Sequence, residues 1–300
     1  MQAELIINQT AGGGKSAKLL PKIFHNFEAS KLPFHTSWTT SPAGATQLAR
    51  QAADNNADPI ISVGGDGTIN EIINGFLPAQ KQPALGIISA GWANDFIKST
   101  PIPADINQAC QAINRGNTKQ IDVGLINDRI YFVNVCGIGF DAEITALANQ
   151  LKTGHFHWTA LSNYVYVIAA IRKLLAPLPS FQVKITIDNQ VICGKMLFLA
   201  IANGKIEGGK FNIAPDAKID DGLLDICLVG EMGRVRCLYL LPRVIKGTHQ
   251  GIPEIRFFQG KEILVELDRP ATAQVAGELI SPQKIYHVKI LPKRLKLIIP

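Results

Sequence analysis

The first 120 residues alternate between short apolar runs and segments in which apolar side chains recur every three or four positions. Each run is followed by a glycine-containing break and then by the helical period: Ala3–Asn8 precedes Ser16–Phe27, Pro59–Val63 precedes Thr68–Leu77, and Leu85–Ser89 precedes Trp92–Lys98. Repeated strand, loop and helix units predict a parallel sheet with helices on both faces. Ligands of such sheets bind beyond the carboxyl ends of the strands, so we expect the three breaks to face one crevice.

From about Ile121 onward, apolar residues alternate with polar ones instead, as in Phe181, Val183, Ile185 and Ile187 before the turn Asp188-Asn189, and again in Ile263, Val265 and Leu267. A helical interlude from Ala142 to Leu175 interrupts this pattern. Strands in hairpin order predict an antiparallel β-sandwich. We therefore predict an α/β domain with a parallel sheet over residues 1–122 and a β-sandwich domain over residues 123–288. Whether residues 289–300 return to the first domain is left open.

Composition narrows the class of protein. Hydrophobic residues make up 47% and charged residues 18% of the 300 residues, so the whole chain should fold, as two domains. Five scattered cysteines without a Cys-x-x-Cys pair indicate neither a disulfide framework nor a zinc site. His155 and His157 lack acidic or cysteine neighbours and are interpreted as surface or packing residues.

Location and charge give further expectations. The glycines near the N-terminus predict no signal peptide, and Arg172 and Lys173 interrupt the longest apolar helix candidate, Trp158–Ala176. We expect a cytoplasmic protein. The net charge of +6 suits a polyanionic partner such as a nucleotide, nucleic acid or an acidic lipid surface, or serves solubility alone. Basic runs with interleaved aromatic residues are lacking, which argues against nucleic acid.

The segment GGDGTINEIINGF, Gly64 to Phe76, carries the strongest local signals. Thr68 and Glu71 have the spacing of a capping box, which predicts that a helix begins at Thr68. Glycines beside free amides at a helix start form a cradle for phosphate. A carboxylate at Asp66 would repel a polyphosphate unless a divalent cation lay between them, so the segment predicts a nucleotide with magnesium. The alternative is a tight strand-to-helix turn in which Asp66 is an ordinary turn residue.

Six motifs in order resemble the diacylglycerol kinase catalytic-domain superfamily, especially its soluble bacterial lipid kinases, over essentially the full length of the chain. They are NQTAGGGK (Asn8–Lys15), GGDGTINE (Gly64–Glu71), GWANDF (Gly91–Phe96), the stretch from Ile121 to Ile144, GGKFNIAPDAKIDDGLLDI (Gly208–Ile226) and Gly277-Glu278. GGDGT alone is also found in NAD kinases, and loosely in phosphofructokinases. The order and spacing of the six motifs are much more specific.

The resemblance implies a set of site residues. ATP would be bound by Asn8, Gln9, Thr10, Ala11, Gly12, Thr39, Gly65, Asp66, Gly67, Thr68, Ile69, Asn70 and Glu71, with Trp92 beside them. Magnesium would be bound by the side chain of Asp221 and the main-chain oxygens of Lys218 and Leu223, although a plain Asp-Gly turn is the alternative there. The implied catalytic residues are Asp66 and Glu278. The acceptor hydroxyl is expected between the two domains.

Three places depart from the family pattern, one of them Ser89-Ala90, where a proline is common. An Asp-Gly-Glu triplet that deprotonates or orients the acceptor reads Ala276-Gly277-Glu278 here, so the aspartate is missing. Trp92 stands where a threonine is usual, and its indole could stack on a base or fill the nucleotide pocket. A general base contributes about a hundredfold to ten-thousandfold, so the loss of the aspartate would impair turnover without abolishing nucleotide binding.

We therefore predict an ATP- and Mg²⁺-dependent lipid kinase that transfers the γ-phosphate to a diacylglycerol-like hydroxyl. The lipid would be reached by peripheral contact at the inner membrane face. A catalytically impaired nucleotide- or lipid-binding relative is the main alternative, and an NAD kinase, supported by GGDGT alone, is the weaker one. No protein partner is predicted, and a homodimer stays open.

Overall fold

A computed structural model describes residues 2–30, 32–79, 82–153 and 164–300. It divides the chain into two compact units, Met1–Val123 with Pro292–Pro300, and Gly124–Leu291. No helix of the described residues is long and apolar enough to cross a membrane. His155, His157 and Trp158 lie outside the described residues.

The first unit is built on four short parallel strands, which confirms the predicted α/β class. Its elements are β1 (Ala3–Ile7), α1 (Ala11–Ser30), β2 (Phe34–Trp38), α2 (Gly44–Asp54), β3 (Ile60–Gly64), α3 (Asp66–Phe76), β4 (Leu85–Ser89), α4 (Asp95–Lys98), α5 (Ile106–Arg115) and the first part of β5 (Thr118–Ile126). The strand order is β4-β3-β1-β2, and the end of the last strand of the chain pairs with β4 at Leu297 and Leu85.

Apolar runs explain why these strands lie at the centre. All five residues of both β1 and β3 are buried, as expected for a parallel sheet covered on both faces. One face packs against α1 and α5, through residues such as Ile23, Phe27 and Ile113. Helices α2 and α3 also pack closely together, because Gly75 of α3 leaves room for the carbonyl oxygen of Thr46.

The predicted capping box at Thr68 is wrong. Helix α3 begins at Asp66, two residues earlier, with Gly65 as an N-cap in extended conformation. Glu71 does not reach back along its own helix; its carboxylate accepts a hydrogen bond from the amide of Ala45, 3.0 Å away, in the first turn of α2. The capping-box rule pairs Glu71 with the start of its own helix. Glu71 instead accepts from an N-terminal amide of α2, because such amides have no acceptor within their own helix.

The second unit is the predicted antiparallel sandwich. Its elements are the end of β5, β6 (Ile130–Phe132), β7 (Val135–Gly139), α6 (Phe140–Thr153), α7 (Val165–Leu174), β8 (Phe181–Ile187), β9 (Gln190–Ala202), β10 (Leu224–Gly230), α8 (Arg234–Lys246), β11 (Ile255–Gly260), β12 (Glu262–Val275) and β13 (Glu278–Ile298). The predicted interlude from Ala142 to Leu175 corresponds to α6 and α7, with residues 154–163 outside the described part. Strand β13 continues into the first unit from Pro292.

Two long strands join the layers of the sandwich. The first halves of β9 and β12 pair with β8, whereas their second halves pair with β7. The β12–β13 register shifts between Glu266 and Ala273, where β12 passes from one layer to the other. Alternating residues of these strands form one apolar core that includes Ile185, Ile263 and the fully buried Tyr286. The hydroxyl of Tyr286 donates to the carbonyl oxygen of Ala271 at 2.6 Å, next to that shift.

Substituting Gly75 by alanine is expected to destabilise the first unit. The added Cβ would meet the carbonyl oxygen of Thr46 and lie 2.8 Å from the Cβ of Ala49. Overpacking of this kind costs roughly 1–3 kcal/mol, more than the gain of about 1 kcal/mol in helix propensity. Urea denaturation should therefore show a lower free energy of unfolding for Gly75→Ala.

The matched control for this substitution is Gly233→Ala. No atom lies within 4 Å of the position that a Cβ on Gly233 would take. Gly233 is the N-cap of α8, where alanine is less favourable than glycine, so the unfolding free energy of Gly233→Ala should fall by no more than about 1 kcal/mol. Equal effects of the two substitutions would contradict the close approach of α2 and α3.

Candidate functional site

The carboxyl edge of the parallel sheet gathers the loops that follow β1, β3 and β4. Between β1 and β3 the strand order reverses, since β1 is followed by β2 on one side and β3 by β4 on the other. Ligands bind at such switch points in open α/β sheets. Here the side-chain amide of Asn8 donates to the hydroxyl of Thr68 at 3.1 Å, which joins the loop after β1 to helix α3. The expectation that the glycine breaks share one edge is confirmed.

The loop after β1 is ordered by its own polar side chains. Asn8 Oδ1 accepts hydrogen bonds from the amide and the hydroxyl of Thr10, at 3.2 and 2.9 Å. The hydroxyl of Ser16 donates to the carbonyl oxygen of Asn8. The following residues, Gly12, Gly13 and Gly14, all have left-handed conformations with φ between 62° and 86°. Only glycine adopts these angles readily, so this turn depends on the glycine run.

Close backbone contacts explain several of the other glycines. A Cβ on Gly65 would lie 2.9 Å from the Cα of Gly91, and a Cβ on Gly12 would collide with the carbonyl oxygen of Ala90. The loops after β1, β3 and β4 are therefore packed directly against one another. At these positions glycine is required by contact between loops.

Asp66 is held by the loop after β4. Its two carboxylate oxygens accept hydrogen bonds from the amides of Asp95 and Phe96, at 3.0 and 2.9 Å. The carboxylate thus caps α4, which begins at Asp95 and not at Trp92 as the sequence suggested. Two amides already compensate the charge of Asp66, so this residue alone no longer requires a cation. The magnesium ion remains a prediction.

The other predicted nucleotide residues differ in exposure. Gln9 and Thr10 are exposed, and Ala11, Gly12, Thr39, Gly67 and Glu71 are half-buried, whereas Thr68, Ile69 and Asn70 are buried in α3. Trp92 is half-buried, and the edge of its indole would lie 2.9 Å from a Cβ on Gly13. The indole therefore occupies the space beside the glycine turn. The first amides of α3 have no acceptor within the helix, and Asn8 contacts this end of the helix through Thr68, an arrangement that fits a phosphate group.

The predicted metal residues lie in the turn before β10. Asp221 Oδ1 accepts from the amide of Leu223 at 3.1 Å, and Gly222 between them has a φ of 76°. Among the described residues, no group of three or more His, Cys, Asp or Glu side chains is arranged to hold a metal ion. The expected site would thus depend on main-chain carbonyls together with Asp221, an all-oxygen set that fits a hard cation such as Mg²⁺. Asp225 also has one buried oxygen without a hydrogen-bond partner.

Glu278 lies at the start of β13, and its side chain is exposed. The preceding residues, Ala276 and Gly277, form the two-residue turn of the β12–β13 hairpin, and both have positive φ, 50° and 88°. The turn is tied to α6 by a hydrogen bond of 2.8 Å from Asn149 to the carbonyl oxygen of Gly277. This hydrogen bond therefore holds the turn that contains Ala276, the position of the missing aspartate, beside α6.

The second unit contains an apolar cavity of about 100 Å³ among α6, α7, α8 and β9. Apolar side chains form most of its lining, including Phe140, Leu174, Phe211, Met232, Leu240 and Ile255. An apolar cavity of this size holds hydrocarbon in preference to water. Two carboxylates, Asp141 and Glu207, also line it.

Gln274 connects these two carboxylates. Its side-chain amide donates to Asp141 Oδ2 at 2.9 Å and also contacts Glu207 Oε1. Its oxygen accepts from the amide of Gly277 at 3.1 Å. Asp141 lies over Gly137, where no Cβ would fit, and it also hydrogen-bonds Glu207. Burial raises the pKa of Asp141 to about 6, although the hydrogen bonds from Gln274 and Glu207 oppose the shift.

Sequence reasoning does not single out Asp141, Glu207 or Gln274. The available signal is a carboxylate inside an apolar stretch, such as Asp141, two residues after the end of the buried strand β7. The cavity itself is formed by residues from Phe140 to Ile255 that only the fold brings together.

Substituting Asp66 by alanine is expected to destabilise the first unit. The change leaves the amides of Asp95 and Phe96 without their acceptor. Hydrogen bonds to a charged group contribute about 1.5–3 kcal/mol, so urea denaturation should show a loss of about 2 kcal/mol. Asp54→Ala is the control, because Asp54 is 59% exposed in its ion pair with Arg50 and should contribute less than about 1 kcal/mol. Unchanged stability of Asp66→Ala would show that the carboxylate does not cap α4.

Two family models match the two parts of the chain. Residues 2–126 match the diacylglycerol kinase catalytic domain, and residues 134–299 match the YegS C-terminal NAD kinase beta sandwich-like domain. Together they cover the first unit and the sandwich.

Complete proteins are similar over nearly the whole chain. A diacylglycerol kinase of Bacillus subtilis is 30% identical over 97% of this chain and 97% of its own, and one of Staphylococcus saprophyticus is 29% identical over 92% and 88%. Two solved structures from Bacillus anthracis cover 100% of this chain and 97% of their own. One has a TM-score of 0.81 at 28% identity, and the other, a crystal structure of a diacylglycerol kinase, has 0.76 at 25%. The chain belongs to the diacylglycerol kinase family.

Proposed function

We propose that this protein is an ATP- and Mg²⁺-dependent lipid kinase that phosphorylates the hydroxyl of a diacylglycerol-like acceptor. The observation that carries this proposal is the apolar cavity of the second unit with Asp141 and Glu207 in its lining. A hydrocarbon chain suits the apolar walls, and the carboxylates suit a hydroxyl group. Membership of a family of kinases supports the class of reaction.

ATP would bind at the carboxyl edge of the parallel sheet and supplies the transferable phosphoryl group. The N-terminal amides of α3, with the polar groups of Asn8 and Thr10, would bind its phosphates. Gly12 lies in the glycine turn after β1, and Thr39 directly follows β2. The capping of α4 by Asp66 keeps this carboxylate engaged with amides. The indole of Trp92 beside Gly13 limits the space at that end of the site.

Magnesium would be bound by Asp221 and the main-chain oxygens of Lys218 and Leu223, and it would supply positive charge. Phosphoryl transfer depends mainly on positioning and on neutralising charge, so the residues of this chain act chiefly by holding the reactants. Glu278, exposed at the start of β13, could link the acceptor side to that ion. These assignments follow the motif positions.

The acceptor would meet the protein at a membrane surface, and helix α8 suits that contact. It carries four basic residues, Arg234, Arg236, Arg243 and Lys246, and no acidic one. Val235 and Tyr239 on this helix are 81% and 63% exposed, and Leu175 at the end of α7 is 66% exposed. Cationic and apolar side chains together favour the interface of an anionic bilayer. Helices α7 and α8 also line the cavity.

A second candidate is a nucleotide- or lipid-binding protein without turnover. Ala276 and the indole beside Gly13 are the observations that favour it. It differs from the first candidate in one measurable respect, because Mg-ATP would bind and no phosphate would be transferred.

Purified protein with Mg-ATP labelled at the γ-phosphate is expected to phosphorylate at least one lipid of a defined panel. The panel contains diacylglycerol, monoacylglycerol, phosphatidylglycerol and a sphingoid base in mixed micelles, with NAD as a test of the NAD kinase alternative. Thin-layer chromatography of the products measures the transfer. Binding of Mg-ATP by calorimetry without any labelled product, also after Ala276→Asp, would support the silent relative.

A substitution that narrows the cavity tests whether the lipid acceptor binds there. Ala170 lines the cavity and is 2% exposed, so Ala170→Leu should raise the KM for the lipid and leave the Kd for Mg-ATP unchanged. Ile171→Met is the matched change, because Ile171 is 40% exposed on the same helix. A lipid KM that responds equally to both changes would argue against binding in this cavity.

Binding to anionic membranes is expected to depend on Val235. Val235→Asp adds a negative charge to the exposed face of α8 and should reduce cosedimentation with phosphatidylglycerol vesicles. Val191→Asp is the control, because Val191 is 55% exposed on β9. Binding should also weaken at high salt, as electrostatic attraction between exposed charges is screened within about 10 Å at 0.1 M salt. Equal binding of the Val235→Asp and Val191→Asp variants to the vesicles would show that α8 is not the surface that contacts the membrane.

A further inference from the structure

A lipid kinase of the proposed kind needs a group that takes the proton of the acceptor hydroxyl. The inference here rests on the proposed function and concerns which residue does this. The two acids named from the motifs are poorly suited to it. Asp66 accepts two amide hydrogen bonds in capping α4, and Glu278 is exposed on β13. The family aspartate is replaced by Ala276.

The cavity offers an alternative set of carboxylates. Asp141 and Glu207 lie in its lining, where an acceptor chain bound to the apolar walls would bring its polar end. Gln274, only 2% exposed, holds both of them through its amide group. The same side chain accepts from Gly277, so the pair is joined directly to the turn that contains Ala276. Gln274 therefore links the carboxylate pair to the turn in which the family aspartate is missing.

Packing around the pair is specific. Gly137 of β7 is paired with Gln274 of β12, and a Cβ on Gly137 would overlap the carboxylate of Asp141. Tyr166, which also lines the cavity, has its hydroxyl 3.2 Å from the position of a Cβ on Gly277. Burying an ionisable pair in such surroundings costs free energy of folding. Perturbed carboxylates in a cleft are typical of functional sites.

We propose that the Asp141–Glu207 pair, held by Gln274, is the general base that replaces the missing aspartate and deprotonates the acceptor hydroxyl. The hydroxyl proton passes to a carboxylate oxygen of the pair. The freed electron pair of the hydroxyl oxygen forms the new bond to the γ-phosphorus of ATP. The bond between that phosphorus and the bridging oxygen breaks, and its electrons leave with ADP. Burial of Asp141, which raises its pKa, makes it a stronger base than an exposed carboxylate.

The test compares isosteric variants with dioctanoylglycerol in detergent micelles as the probe. Asp141→Asn and Glu207→Gln each remove one carboxylate. Glu143→Gln is the control on the same helix, because Glu143 forms an ion pair of 3.1 Å with Lys173 and does not line the cavity. Each protein is measured for kcat, for the KM of the lipid, for the Kd of Mg-ATP and for Tm.

The expected result is a fall in kcat of about a hundredfold or more for both cavity variants, as for the loss of a general base. Glu143→Gln should stay within about twofold of the wild type. The Kd of Mg-ATP should not change in any of them, and Tm should not fall in Asp141→Asn. A kcat within about threefold of the wild type for both cavity variants would overturn the inference.

A rescue experiment separates a base from a merely structural residue. Ala276 has a left-handed conformation that aspartate and asparagine tolerate well, so Ala276→Asp and Ala276→Asn both suit the turn. In the Asp141→Asn background, Ala276→Asp should restore kcat at least about tenfold, and Ala276→Asn should not. Equal recovery, or none, would overturn the proposal. If the wild type phosphorylates neither dioctanoylglycerol nor any lipid of the panel, the proposed function itself fails.

Discussion

The structure of the carboxyl edge of the parallel sheet depends on the direct contact between the backbones of Gly65 and Gly91. Neither residue could carry a side chain, because its Cβ would collide with the other glycine. This contact brings the loop after β3 against the loop after β4, and two further contacts of the loop after β4 accompany it. Asp66 reaches the amides of Asp95 and Phe96, and Gly12 packs on the carbonyl of Ala90. The loops are thus fixed by the protein itself, and a ligand at this edge would meet a preformed site.

The second unit follows a different principle, in which a polar group is held inside apolar packing. A buried amide or carboxylate costs free energy unless its hydrogen bonds are formed. Gln274 satisfies this condition by bonding Asp141, Glu207 and Gly277 at once. The sandwich and its helices supply the rigid frame, since the strands on either side of β7 are also those that bend between the layers. Asp141 on α6 and Gln274 on β12 are therefore held by a helix and a strand and not by loops.

Sequence reasoning succeeds where a signal is local. The strands near Ala3, Ile60 and Leu85 and the alternating strands near Phe181 and Ile263 follow from periodicity, and the glycine breaks indicate the edge of the sheet. It fails where a side chain finds a distant partner. Glu71 caps α2, and Asp66 caps α4, so neither has the role that its spacing suggests. The cavity residues are far apart in the chain, and no periodicity links Asp141 with Glu207. The roles assigned to the other motif residues remain predictions.

Both Ala276 in the hairpin turn and the Asp141–Glu207 pair are unfavourable for the stability of the fold. At Ala276 the backbone is left-handed, a conformation in which alanine is disfavoured relative to aspartate or glycine, so the turn gains nothing from the alanine. The pair also carries a cost. With its pKa raised from 3.8 to about 6, Asp141 binds its proton more tightly in the folded than in the unfolded chain. The ionisation of Asp141 therefore lowers the free energy of unfolding by its full amount at pH values above the raised pKa. At pH values below the ordinary pKa of an aspartate this effect is absent. An amide at position 141 would avoid this penalty, so stability alone gives no reason for an acid there. An acid at position 141 together with an alanine at position 276 is the combination expected if Asp141 has taken over the role of the family aspartate as the base.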